Sequence, residues 1–116
     1  YNGIKTFLFE EIMPTPVLSF SVRYLNCNAG IVITASHNPK EYNGYKVYDK
    51  YGCQLVPKYA DKVISYINNV KDIKSVKHMN LNMALSNGYL TYIGDEVLNS
   101  YISEVKKWLF TKKHPT

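Results

Sequence analysis

A chain of 116 residues is long enough for one modest core and too short for two independent ones. With 46% hydrophobic and 20% charged residues, its composition excludes general disorder. A net charge of +5 suits anionic partners such as sugar phosphates. The basic residues are scattered and form no long run, which argues against nucleic acid.

Residues 4–9 are rich in β-branched and aromatic side chains and follow Gly3, which predicts a strand. Pro14 and Pro16 then break the chain, with Thr15 as expected N-cap and Pro16 at the first helical position. Val17, Leu18, Phe20, Ser21, Tyr24 and Leu25 recur at helical spacing, so a helix of about ten residues follows. Residues 26–30 end it. Residues 30–34, Gly-Ile-Val-Ile-Thr, are a continuous apolar run that fits a strand covered on both faces. Strand, helix and strand predict a βαβ unit. Asn43-Gly44 and Tyr51-Gly52 are turn signals. Residues 45–49 alternate as a strand, with 53–56 expected as its partner after a tight turn. Pro57 opens a second helix, with Ala60, Val63, Ile64 and Ile67 on one face. Residues 71–87 read as loop-rich and 89–93 as a short strand. Asp95 and Glu96 place negative charge at the start of a last helix that reaches about residue 109. The expected fold is α/β, a mixed sheet with helices on both faces, built from a βαβ unit plus a hairpin. Residues 1–111 are expected to form part of one domain and 112–116 the start of a linker.

Cys27 and Cys53 lack CxxC spacing and have no histidine cluster nearby. That argues against zinc and for two buried free thiols in a reducing cytosol, so a cytoplasmic location is expected. No apolar run reaches the length of a membrane helix, and no segment resembles a signal peptide. No membrane partner is expected. The chain opens on Tyr1-Asn2-Gly3 without an initiator Met and reads as the middle of a longer polypeptide. His78 and His114 read as surface residues, and Lys106, Lys107, Lys112 and Lys113 as a solvated helix end. The 11 tyrosines read as half-buried packing, and Trp108 as a core or domain-interface anchor.

The informative stretch is Thr34-Ala35-Ser36-His37-Asn38-Pro39, continued by Asn43-Gly44-Tyr45-Lys46. It puts a hydroxyl, an imidazole and an amide on one short loop at the carboxyl end of a strand, where ligand sites gather in α/β sheets. Pro39 restricts Asn38. Asn43-Gly44 reverses the chain, so the strand bearing Lys46 runs back beside the loop. A lone Ser hydroxyl needs activation to act as a nucleophile. Adjacent residues such as Ser36 and His37 rarely aim at each other, and no G-x-S-x-G elbow surrounds Ser36. A stably phosphorylated Ser is a different device, with about two negative charges and three acceptor oxygens. It needs cations nearby and a group that handles the substrate's proton. Lys46 is the candidate, and an amine serves as base only where desolvation or neighbouring cations lower its proton affinity.

On these residues the chain resembles the α-D-phosphohexomutases, at their phosphoserine loop. Gly3-Ile4-Lys5, Pro14-Thr15-Pro16-Val17-Leu18-Ser19-Phe20, Gly44-Tyr45-Lys46-Val47-Tyr48 and Gly52-Cys53-Gln54-Leu55 resemble the phosphoglucomutase branch related to phosphopentomutases. The resemblance implies that phospho-Ser36 exchanges its phosphoryl group with a hexose monophosphate through a bisphosphorylated sugar. It implies Lys46 as acid/base, His37 as support for the phosphoserine or the proton transfer, and Thr34, Asn38 and Asn43 as loop residues. It further implies Mg²⁺ on a Ser36 phosphate oxygen and a glucose 1,6-bisphosphate-type activator. Phosphomannomutase or phosphopentomutase activity and a non-catalytic phosphosugar-sensing module remain alternatives. The family's D-G-D metal loop, sugar-recognition loop and phosphate loop have no counterpart here; Asp49, Asp61, Asp72 and Asp95 are dispersed. By the resemblance those parts belong to domains II–IV, and this piece alone is expected to be inactive.

Overall fold

The structure, a computed structural model, describes residues 2–34 and 44–111, with side chains as far as residue 109. In chain order the elements are β1 (Thr6–Phe9), α1 (Thr15–Tyr24), β2 (Gly30–Thr34), β3 (Gly44–Tyr48), α2 (Pro57–Asn68), α3 (Leu81–Ser86), β4 (Leu90–Ile93) and α4 (Asp95–Thr111). A single 3-10 turn over Ile73–Ser75 separates α2 from α3. Helices and strands are interspersed as expected of an α/β chain, and both parallel and antiparallel pairing occur. The described residues fall into two compact units, one with the residues up to Glu10 and Leu55–Ile93, the other with those from Glu11 to Gln54 and from Gly94 onward.

In the first unit β1 and β4 pair in parallel, Thr6 opposite Leu90 and Phe9 opposite Ile93. The Thr6 N–H donates to the Tyr89 carbonyl at 2.7 Å, and the Glu10 N–H to the Ile93 carbonyl at 3.1 Å. The strand expected from residue 4 thus begins at Thr6, where the ladder begins. β1 takes β4 as its parallel neighbour within the first unit, and β2 pairs with β3 within the second. The region 71–87, expected as loop, contains α3. The Asn80 carboxamide caps it by accepting from the Asn82 N–H at 2.8 Å.

The second unit holds the buried apolar side chains: Val17 and Val22 of α1, Tyr48 of β3 and Val97 of α4. Burying each Val contributes about 1.5–3 kcal/mol. Ser21 is buried with them, and its hydroxyl donates to the Val17 carbonyl one turn back. Pro14, not Thr15, occupies the N-cap of α1, and no side chain caps it. Pro14 is already extended, with φ −60° and ψ 147°, and its carbonyl accepts from the Val17 N–H at 3.0 Å. Asn26, at φ 54°, closes the helix in a left-handed turn. The Cys27 N–H bonds the Val22 carbonyl at 2.8 Å and the Asn26 N–H the Arg23 carbonyl at 3.3 Å, the paired bonds of a Schellman ending. Phe20 stacks on Tyr24 and meets Tyr101 edge-on, joining α1 to α4.

β2 forms over the residues expected but is not covered on both faces. Its neighbour is antiparallel, and Ile31 and Ile33 on its outer face are 52% and 70% exposed. Residues 53–56 do not form a full strand either. Only Gln54 bridges to Tyr48, because the 49–53 turn uses the adjoining backbone groups for its own closure. Cys53, expected buried, is exposed on this turn, while Cys27 is half-buried; both are free. Burial pushes the Cys27 thiol up from its ordinary range. Iodoacetamide is therefore expected to label Cys53 well before Cys27, as peptide mass spectrometry over a time course would show. Equal rates would contradict the burial of Cys27.

Candidate functional site

The chemistry-bearing residues named from sequence lie on or between β2 and β3. Ser36, His37, Asn38 and Asn43 lie outside the described residues, as do His114 and the expected linker 112–116. Thr34 and Lys46 are described. Thr34 ends β2 opposite Gly44, and Lys46 sits in β3 opposite Val32. Opposed residues of an antiparallel pair share a face, and faces alternate along a strand. Thr34, Val32, Gly30, Gly44, Lys46 and Tyr48 therefore share one face, and each is buried or half-buried. Leu18 and Val22 of α1 fill the space beside Gly30 where a side chain would stand, so this face is turned toward α1.

Lys46 is the diagonal neighbour of Thr34 on that face. Such neighbours stand about 7–8 Å apart, within the span of a lysine side chain. Thr34 and Gly44 are the two ends of the connection that carries Ser36. The hairpin neck is tight there: a Cβ on Gly44 would come within 2.9 Å of the Thr34 carbonyl oxygen. The antiparallel register thus brings Lys46 back to the strand end from which the Ser36 segment leaves.

Asp49 and Ser19 shape the far end of β3. The Asp49 carboxylate accepts from the Tyr51 and Cys53 N–H groups at 2.9 and 3.1 Å. The Ser19 hydroxyl, on α1, donates to the Gly52 carbonyl. The D-x-x-G spacing of Asp49 and Gly52 hints at the turn, but nothing in sequence points to Ser19.

Among the described residues no three His, Cys, Asp or Glu side chains gather as metal ligands. Asp49 is engaged in its turn, Asp72 accepts from the Lys74 N–H at 2.9 Å, and Asp95 sits in the first turn of α4. The described residues therefore do not build a magnesium site. His78 is exposed as expected. Trp108, expected in a core or interface, is 56% exposed and lines an open groove with Phe20, Arg23 and Tyr101. Among the described residues no helix is long and apolar enough to cross a membrane.

Comparison with known proteins places the chain. The profile described as phosphoglucomutase/phosphomannomutase, alpha/beta/alpha domain I, matches residues 1–74, and the chain belongs to this phosphohexomutase family as its domain I. It is 44% identical over 105 residues to a phosphoglucomutase of Staphylococcus saprophyticus, covering 90% of this chain and 19% of that protein. It is 41% identical over 105 residues to a phosphoribomutase of Saccharomyces cerevisiae, covering 84% of this chain and 16% of that one. A human phosphopentomutase is 53% identical over 64 residues, 55% of this chain and 10% of its own length. The chain thus spans a fifth or less of the length of these relatives.

Proposed function

We propose that residues 1–116 carry the phosphoryl-bearing serine and the acid/base lysine of a phosphoglucomutase-type phosphotransferase. The observation that supports this best is the β2–β3 register, which returns Lys46 to the strand end that leads into Ser36. In the first half-reaction the 6-hydroxyl of glucose 1-phosphate attacks the phosphorus of phospho-Ser36. The P–Oγ bond breaks, the hydroxyl proton passes to the Lys46 amine, and the departing Ser36 oxygen takes a proton from water, which accepts it back when Ser36 attacks in the second half-reaction. Glucose 1,6-bisphosphate forms, turns over in the site, and gives its 1-phosphate to the Ser36 oxygen. Lys46 returns the proton to the departing sugar oxygen, leaving glucose 6-phosphate. His37 supports the phosphoserine, while Thr34, Asn38 and Asn43 shape the loop. A magnesium ion on the Ser36 phosphate oxygen would supply neutralisation of charge. Its remaining ligands would come from further domains of a longer polypeptide, as would the grip on the sugar.

The test is incubation of the full-length polypeptide with phosphate-labelled glucose 1,6-bisphosphate, followed by mass spectrometry of the Ser36 peptide. Label on Ser36, together with interconversion of glucose 1- and 6-phosphates, is expected. Isolated residues 1–116 are expected to give no turnover. A full-length protein that binds sugar phosphates but leaves Ser36 unlabelled would be a sensing module instead. A pentose phosphate is the second reading, favoured by the 53% identity to a phosphopentomutase. Comparing kcat/KM for glucose 1-phosphate and ribose 1-phosphate separates the two.

A further inference from the structure

We propose that Ser19 is a positioning residue for Lys46, acting through the 49–53 turn; the inference rests on the role of Lys46 given above. β3 is held along its length by the β2 ladder. At its far end the turn closes on itself. The Asp49 N–H donates to the Cys53 carbonyl at 2.8 Å, the Gly52 N–H to the Asp49 carbonyl at 3.0 Å, and the Asp49 carboxylate takes two further N–H groups. A turn closed in this way is stiff, yet these bonds tie it only to its own strand. The Ser19 hydroxyl supplies the tie to α1, across 33 residues of sequence, by donating to the Gly52 carbonyl. β2 lies against the same helix at Leu18 and Val22.

Both strands of the hairpin therefore take their position from α1, β2 at its start and β3 at its end. Lys46 lies within the ladder, two residues before the buried Tyr48 and three before the turn that carries this anchor. Losing the anchor lets the end of β3 tilt on β2, and the offset between Lys46 and the Thr34 strand end changes. A displacement of about 1 Å far from the chemistry can cost up to about 10²-fold in rate.

The test is kinetic, in the full-length polypeptide. Ser19→Ala removes the hydroxyl at a helical position that favours Ala, so the helix persists; Ser19→Thr keeps a hydroxyl. Ser19→Ala is expected to lower kcat about tenfold with KM within about twofold, and Ser19→Thr to restore kcat. Asp49→Ala, which loosens the same turn from its own side, is expected to follow Ser19→Ala. An unchanged kcat in Ser19→Ala, or a fall that Ser19→Thr does not restore, overturns the positioning role. Lys46→Ala measured alongside keeps the two ideas apart. If it retains turnover, the acid/base role falls and the positioning role with it. If it is inert while Ser19→Ala is indifferent, only the positioning role falls.

Discussion

Lys46→Met in the full-length polypeptide is expected to lower kcat for glucose 1-phosphate by about 10²–10⁴-fold, the usual contribution of a positioned acid or base. In the proposed reaction both half-reactions need a proton moved at a sugar oxygen, so the loss is expected in either direction of the interconversion. Met is the informative replacement because it keeps an unbranched apolar stem along the half-buried face that Lys46 shares with Val32 and Tyr48. Folding should change little, and a matching thermal melt checks this. Lys46→Arg keeps the charge but holds its proton at all working pH values, so it is expected to be as inactive as Lys46→Met. A rescued Lys46→Arg enzyme would mean that Lys46 serves only as a cation toward phosphate. A Lys46→Met enzyme within tenfold of wild type would remove Lys46 from the chemistry.

Legibility in the sequence followed locality. The spacing of Val17, Leu18, Ser21 and Tyr24 places α1, and the apolar run 30–34 places β2, because both patterns need only near neighbours. What covers a strand is a non-local property. The run Gly-Ile-Val-Ile-Thr reads as buried twice over, yet its outer Ile33 is 70% exposed, because an antiparallel hairpin here offers α1 on one face. α3 is too short to show a pattern: six residues carry less than two turns of periodicity, and only the cap at Asn80 marks it. The motif that carries Ser36 lies outside the described residues except for its ends: Gly44, expected in a turn, already pairs with Thr34, and Lys46 follows in β3 as expected. The bond from Ser19 to Gly52 joins residues with no shared pattern, and only the folded chain reveals it.

That same contact makes Gly52 the position where the smallest change is expected to do most harm to stability. Gly52 is buried at φ +79°, a conformation that L side chains rarely adopt. A Cβ there would lie 2.6 Å from the Ser19 carbonyl oxygen and 2.9 Å from the Ser19 hydroxyl. The hydroxyl can rotate away, at the loss of its bond to the Gly52 carbonyl. The carbonyl belongs to the backbone of α1 and cannot move without disturbing the helix that buries Val17 and Val22. Gly52→Ala is expected to destabilise by about 2–4 kcal/mol, combining left-handed strain with overpacking. Gly88 separates those two causes. It has φ +75° but nothing within 4 Å of an added Cβ, so Gly88→Ala carries the strain alone, about 1–2 kcal/mol. Urea denaturation of the two variants beside wild type measures the difference. Equal losses would mean that Ser19 yields freely, and α1 would then be too loosely held against the turn to set the position of β3.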